Sequence, residues 1–78
     1  SDYKTEFQEL AQALYGETPR YLLKETAGPD HDRVFTVETF VAGQCLGEGT
    51  GRSKKEAEQA AARIGAARLR SVAADGDR

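Results

Sequence analysis

The residues with the most chemical content are Arg52, Lys54 and Lys55, three cations within four positions that follow the alternating glycines Gly47, Gly49 and Gly51. Ser53 is a good helix N-cap, and Glu56 three positions later completes a capping box, which starts a helix at Lys54. Two lysines in a first turn oppose the helix macrodipole, at a cost of about a few tenths of a kcal/mol. A bound phosphate would reverse that cost, because the free N–H groups, the dipole and both ammonium groups would all point at it. The glycines ahead of the helix leave bare backbone that an anion can approach. An ordinary capped helix with solvated lysines accounts for the same residues without a ligand.

Other chemistry finds little support. The stretch Gly28-Pro29-Asp30-His31-Asp32 has the composition of a polar turn. His31 is the only histidine, with no second histidine or cysteine at metal-site spacing, which argues against a metal. An imidazole at a loop tip can donate to a sugar hydroxyl or a base edge. Cys45, the only cysteine, falls within a predicted strand near no base, so it reads as a small core residue rather than a nucleophile. The thirteen acidic residues form no compact cluster of the kind a two-metal phosphodiesterase needs. The glycine triplet also lacks the contexts of a P-loop or a Rossmann turn, since no lysine directly follows the last glycine and no βαβ unit surrounds it.

Length and composition set the frame. Seventy-eight residues make one small domain whose core only just offsets the entropy of folding. A net charge of −2 argues against a generally basic nucleic-acid binder, yet the local cluster at 52–55 can coexist with it. A single cysteine excludes an internal disulfide and points to a reducing compartment, the cytoplasm. No apolar run reaches membrane-spanning length, and the N-terminal residues have no signal-peptide character, so no membrane partner is expected.

The elements that must position these residues follow from periodicity. Tyr3, Phe7, Leu10 and Leu14, with Ala11, make one apolar face of a first helix that Asp2 caps and Gly16 ends. Its opposite stripe is Thr5, Gln8, Glu9 and Gln12, polar and without a cation. Tyr21–Thr26 reads as a first strand and Val34–Val41 as a second. In the second, Phe35, Val37, Thr39 and Val41 face the core while Thr36, Glu38 and Phe40 face out. Ala42-Gly43-Gln44 turns the chain into a third strand, roughly Cys45 to Gly49. The second helix runs from Lys54 to about Arg70, with Ala57, Ala60, Ala61, Ile64 and Leu69 toward the sheet and Gly65 as a weak point. The segment from Val72 to Arg78 has no period and should fray as a flexible tail. The result is a two-layer α+β domain, α-β-β-β-α, with both helices on one face of a three-stranded antiparallel sheet.

This order of elements, the loop Gly28-Pro29-Asp30-His31 and the run Gly47-x-Gly49-x-Gly51-x-Ser53-Lys54-Lys55-x-Ala57 together resemble a double-stranded-RNA-binding domain over about Asp2 to Ser71. Asp2-Tyr3-Lys4-Thr5 and the stretch Arg52 to Ala61 resemble in particular the C-terminal domain of bacterial ribonuclease III. The resemblance implies a module that bridges two minor grooves of A-form RNA and the major groove between them, across about 16 bp. It implies that Thr5, Gln8 and Glu9 meet one minor groove, Pro29 (through backbone) and His31 the next, and Arg52, Ser53, Lys54 and Lys55 the phosphates between. Glu58 stands where many members have a third lysine, which predicts a weaker phosphate clamp. Phe40 on the outer sheet face could meet another domain. As a binding module the chain needs no cofactor and should not cut RNA. Magnesium, catalysis and homodimerisation would belong to a nuclease domain that this sequence does not contain. The rival implication is a protein-interaction domain of the same fold with weak or no RNA binding.

Overall fold

The computed structural model describes residues 2–76. Helix α1, Tyr3–Tyr15, begins where the Asp2 carboxylate accepts the Thr5 N–H at 3.2 Å and ends at Gly16, whose left-handed backbone donates its N–H to the Gln12 carbonyl at 3.0 Å. Strand β1 spans Arg20–Ala27, β2 Val34–Val41 and β3 Gln44–Gly51, in the antiparallel order β1-β2-β3. Helix α2, Lys54–Gly76, follows β3. Both helices cover one sheet face, as the single apolar side of a three-stranded layer requires. Among the described residues no helix is long and apolar enough to cross a membrane.

Alternation along β2 holds as expected: Val37, Thr39 and Val41 are buried and Phe35 is half-buried, while Phe40 lies on the outer face beside a hollow of about 340 Å³ lined also by Arg20 and Leu22. Thr39, the one buried polar residue among the described residues, donates its hydroxyl to the Arg20 carbonyl at 2.9 Å.

Strand β3 departs from simple alternation. Phe40 pairs with Cys45 but Thr39 pairs with Gly47, so Leu46 is an extra residue. The bulge turns Leu46 inward against Val41 and Leu69 and leaves Cys45 exposed, opposite Phe40 and within 3.8 Å of the Glu38 carboxylate. Cys45 is therefore a surface thiol rather than a core residue.

Beyond the bulge, the inner face of β3 consists of the three alternating glycines, and α2 lies directly on them. A Cβ at Gly51 would stand 2.6 Å from the Ala57 nitrogen, one at Gly49 2.6 Å from the Ala60 carbonyl carbon and closer still to the Ala61 nitrogen, and one at Gly47 inside contact distance of the Ala61 carbonyl oxygen. The bare backbone thus meets a helix, not an anion. Across α2 the facing residues Ala57 and Ala61 are equally small.

The buried face of α2 is turned relative to the expected one. Ala57, Ala61, Ala62, Gly65, Ala66 and Leu69 are buried, whereas Ile64 is exposed at the β3 edge. The helix packs against two neighbours, and α1 claims the side holding Ala62, Gly65 and Ala66. Gly65 is the contact point: a Cβ there would stand 2.6 Å from the ring of Phe7, itself fully buried. The helix also runs past the expected end at Arg70, so the predicted tail is helical as far as Gly76. Nothing in Ser71-Val72-Ala73-Ala74 breaks a helix. Asp77 and Arg78 lie outside the described residues.

Candidate nucleic-acid interface

At the start of α2 Ser53 acts as the N-cap, the first half of the expected capping box. The Ser53 hydroxyl oxygen accepts the Glu56 N–H at 3.1 Å, and the Ser53 carbonyl accepts the Ala57 N–H at 3.0 Å. With those donors satisfied, Lys54 and Lys55 project from the first turn, both exposed, and Arg52 is exposed just before it.

The β1–β2 connection is a folded turn. Gly28 takes φ 88°, and a Cβ there would stand 2.5 Å from the Asp32 carbonyl oxygen, so only glycine lets the chain double back so tightly. Asp30–Asp32 form one 3₁₀ turn, closed by the Asp32 N–H donating to the Pro29 carbonyl at 2.9 Å. His31 sits exposed at its centre, with Pro29 exposed before it. Register ties this turn to the lysines: Ala27 pairs with Val34 and Phe35 with Gly51, which brings the turn and the junction of β3 with α2 to the same end of the sheet. Arg52 reaches back to Asp32 at 3.9 Å, and Arg33 lies 3.9 Å from Asp30. Both pairs are solvent-exposed and hold their partners weakly, so a phosphate can displace either acid from its arginine.

Helix α1 presents the third region. Thr5, Gln8 and Glu9 are exposed along it, with Gln12 continuing the stripe. The Thr5 hydroxyl donates to the Asp2 carboxylate and so offers its lone pairs outward, as an acceptor. Contacts between the helices then set where this stripe lies relative to the lysines. The Gln59 side-chain oxygen accepts the Tyr3 N–H at 2.9 Å, and its amide donates to Asp2 at 3.0 Å. These two carboxylate contacts, Gln59 first and Thr5 second, hold Asp2 well below its usual range, at about 2.

Lys4 pairs with Glu58 at 2.6 Å. The acid that stands in place of a third lysine is thereby neutralised by a cation from α1, so the phosphate region is not left with an uncompensated negative charge. Neither contact was visible in the sequence, where 54 or more positions separate the partners. Among the described residues no three His, Cys, Asp or Glu side chains converge as a metal site would need.

Of the nine residues singled out in the sequence, eight are exposed and Ser53 is half-buried, and they fall in three groups. Arg52, Ser53, Lys54 and Lys55 share one end of the sheet with Pro29 and His31, and Thr5, Gln8 and Glu9 lie along α1, which is anchored to α2 one turn beyond Lys55.

Residues 3–69 match the family model described as double-stranded RNA binding motif. Ribonuclease 3 of Geobacter sulfurreducens is 68% identical over 62 residues, covering 80% of this chain and 25% of that protein. Ribonuclease 3 of Geobacter metallireducens is 59% identical over 76 residues, covering 97% of this chain and 30% of that protein. Among solved structures, Dicer from Pichia stipitis superposes with a TM-score of 0.60 at 28% identity, over 83% of this chain and 33% of the Dicer chain. The chain thus spans between a quarter and a third of the length of these relatives. With a helix, a three-stranded meander and a capped helix in the matched span, and with the basic helix start exposed beside the His31 turn, the chain belongs to the double-stranded RNA binding motif family.

Proposed function

We propose that this chain binds double-stranded RNA through its A-form shape, as the RNA-binding module of a ribonuclease III. The observation that carries the reading is a helix start with Arg52, Lys54 and Lys55 exposed, which shares one end of the sheet with the exposed His31 turn and is linked through Gln59 to the start of the helix that carries the exposed Thr5-Gln8-Glu9 stripe. Cations suit phosphates lining the major groove. Neutral and acidic hydrogen-bonding groups suit 2′-hydroxyls, which both donate and accept, in the minor grooves on either side. Thr5, Gln8 and Glu9 then meet one minor groove, the Pro29 backbone and His31 the next, and Arg52, Ser53, Lys54 and Lys55 the phosphates between.

In this reading the chain binds without cutting and needs no cofactor. Cleavage, magnesium and self-association of the parent belong to a nuclease domain in the part of the relatives that this chain does not span, and the parent works in the cytoplasm. Titration of the chain with duplexes of one sequence, as RNA and as B-form DNA at equal salt, tests it. RNA should bind far more tightly, because B-form DNA has neither the 2′-hydroxyls nor the groove spacing. Equal affinities would refute shape-selective RNA binding and favour a protein-interaction role.

A further inference from the structure

We infer that Gln59 is a positioning residue for RNA recognition: its side-chain amide fixes where α1 begins on α2 and so sets the separation between the hydroxyl-reading stripe of α1 and the lysines of α2. The inference rests on the RNA-binding reading above.

Helix α1 packs on α2 through apolar contacts, the ring of Phe7 against the bare backbone of Gly65 and, in the same buried cluster, Ala11 with Ala62, Ala66 and Leu69. Such contacts fix how near the two helices come but are not directional. The charged contacts on either side, Lys4 with Glu58 and Arg70 with Glu6, are long side chains at partly or largely exposed sites and restrain angle poorly. Gln59 differs in kind. One short planar group makes two directional bonds, accepting the Tyr3 N–H at 2.9 Å and donating to Asp2 Oδ1 at 3.0 Å. The first bond satisfies one of the free N–H groups at the start of α1, so part of the cap of α1 is supplied by another helix. The same Asp2 oxygen accepts the Thr5 N–H at 3.2 Å, and the Thr5 hydroxyl donates to the other oxygen. A continuous path thus runs from Thr5 through Asp2 to Gln59, and Gln59 lies four residues, about 6 Å along the helix, from Lys55. Both ends of the amide hold partners within the fold, which fixes its orientation and leaves one N–H and one carbonyl lone pair unused.

Because A-form RNA presents its 2′-hydroxyls and its phosphates at a fixed spacing, loosening this path should cost affinity only where α1 contributes. Gln59→Met, which keeps the length and apolar stem, should weaken RNA binding about tenfold, the equivalent of roughly 1.4 kcal/mol. B-form DNA affinity and the salt slope should hold, since the lysines are untouched. In a Thr5→Ala/Gln8→Ala/Glu9→Ala background the same change should cost less than about twofold, because the contacts it positions are already gone.

A second pair tests the hydrogen bonds directly. Gln59→Glu sets a carboxylate against that of Asp2 and should weaken RNA binding. Adding Asp2→Asn should restore it, since the new amide can donate to the new carboxylate. Equal losses in both backgrounds, or no rescue by the paired change with both proteins folded by circular dichroism, would overturn the positioning role. If the unaltered chain itself shows no preference for RNA, the RNA-binding reading fails instead.

Discussion

Gly49→Ala separates two readings of the glycine triplet. If the glycines admit an anion, the substitution weakens RNA binding and leaves the fold alone. The structure predicts the reverse. An added Cβ would stand 2.6 Å from the Ala60 carbonyl carbon and its Cβ, against about 3.5–4.0 Å for relaxed carbon contacts, so strand and helix must separate by roughly 1 Å. Backbone lies on both sides, and no rotamer change relieves the clash. Overpacking of this kind costs about 1–3 kcal/mol, and the absence of any side chain to yield puts Gly49 at the top of that range. Alanine recovers about 0.5–1 kcal/mol through its smaller loss of backbone entropy in a strand. A net loss of about 2 kcal/mol lowers the melting temperature of a domain this size by roughly 8–16 °C.

The assay is a circular dichroism melt together with an RNA titration at a temperature where the variant is still folded. Melting should fall by that amount while affinity stays close to that of the unaltered chain. Gly76→Ala, with nothing within 4 Å of its added carbon, serves as the control and should melt unchanged. An unchanged melt for Gly49→Ala with a large loss of affinity would refute the packing argument and return the glycines to the anion.

Three further outcomes are expected. Replacing both Lys54 and Lys55 by alanine should weaken binding to every duplex sequence alike and lower the slope of log affinity against log salt by about two, roughly one per lost phosphate contact, with an equal or slightly higher melting temperature because a dipole conflict is relieved; an unchanged slope would make the lysines solvated surface. His31→Ala should weaken binding to long duplexes but not to ones below about 12 bp, which lack the second minor groove, and should leave the melt unchanged because the ring supports no core; equal affinity for long duplexes would make the turn only a turn. Asp2 titrates at about 2 in the fold against an ordinary 3.8, so its charged form stabilises the native state above about pH 4, and that stabilisation is lost as pH falls toward 2; the stability advantage over Asp2→Asn should shrink across this window, and a pH-independent difference would refute the assignment.

The parts of the fold legible in the sequence are those that local chemistry writes. Asp2 and Gly16 bound α1, Ser53 and Glu56 start α2, and the alternation from Val34 to Val41 places its own inner face, because each signal acts within a few residues. The parts that were not legible depend on which element lies opposite. Cys45 and Leu46 exchange faces through a bulge that is visible only in the pairing with β2. Ile64 and Ala62 trade exposure because α2 serves α1 as well as the sheet. The glycines gave a correct signal, bare backbone, attached to the wrong neighbour. For the candidate site the loop, the capped lysines and the polar stripe were all nameable in advance. The links between them, Asp2 with Gln59 and Lys4 with Glu58, join opposite ends of the chain and leave no periodic trace.

The placement of the glycine stripe also orders the assembly of the chain. Gly51 meets Ala57 and Gly49 meets Ala61, so the β3–α2 contact closes loops of only six and twelve residues. The clasp between Asp2 and Gln59 spans 57 positions. Closing the longer loops costs more chain entropy, by about 0.6 kcal/mol per doubling, and that cost comes before the contact returns anything. The last strand and last helix can therefore collapse onto each other as a local unit, carrying the lysines already in place, while the first helix is still searching. In a chain made from its N-terminus, the segment synthesised first is the one that docks last.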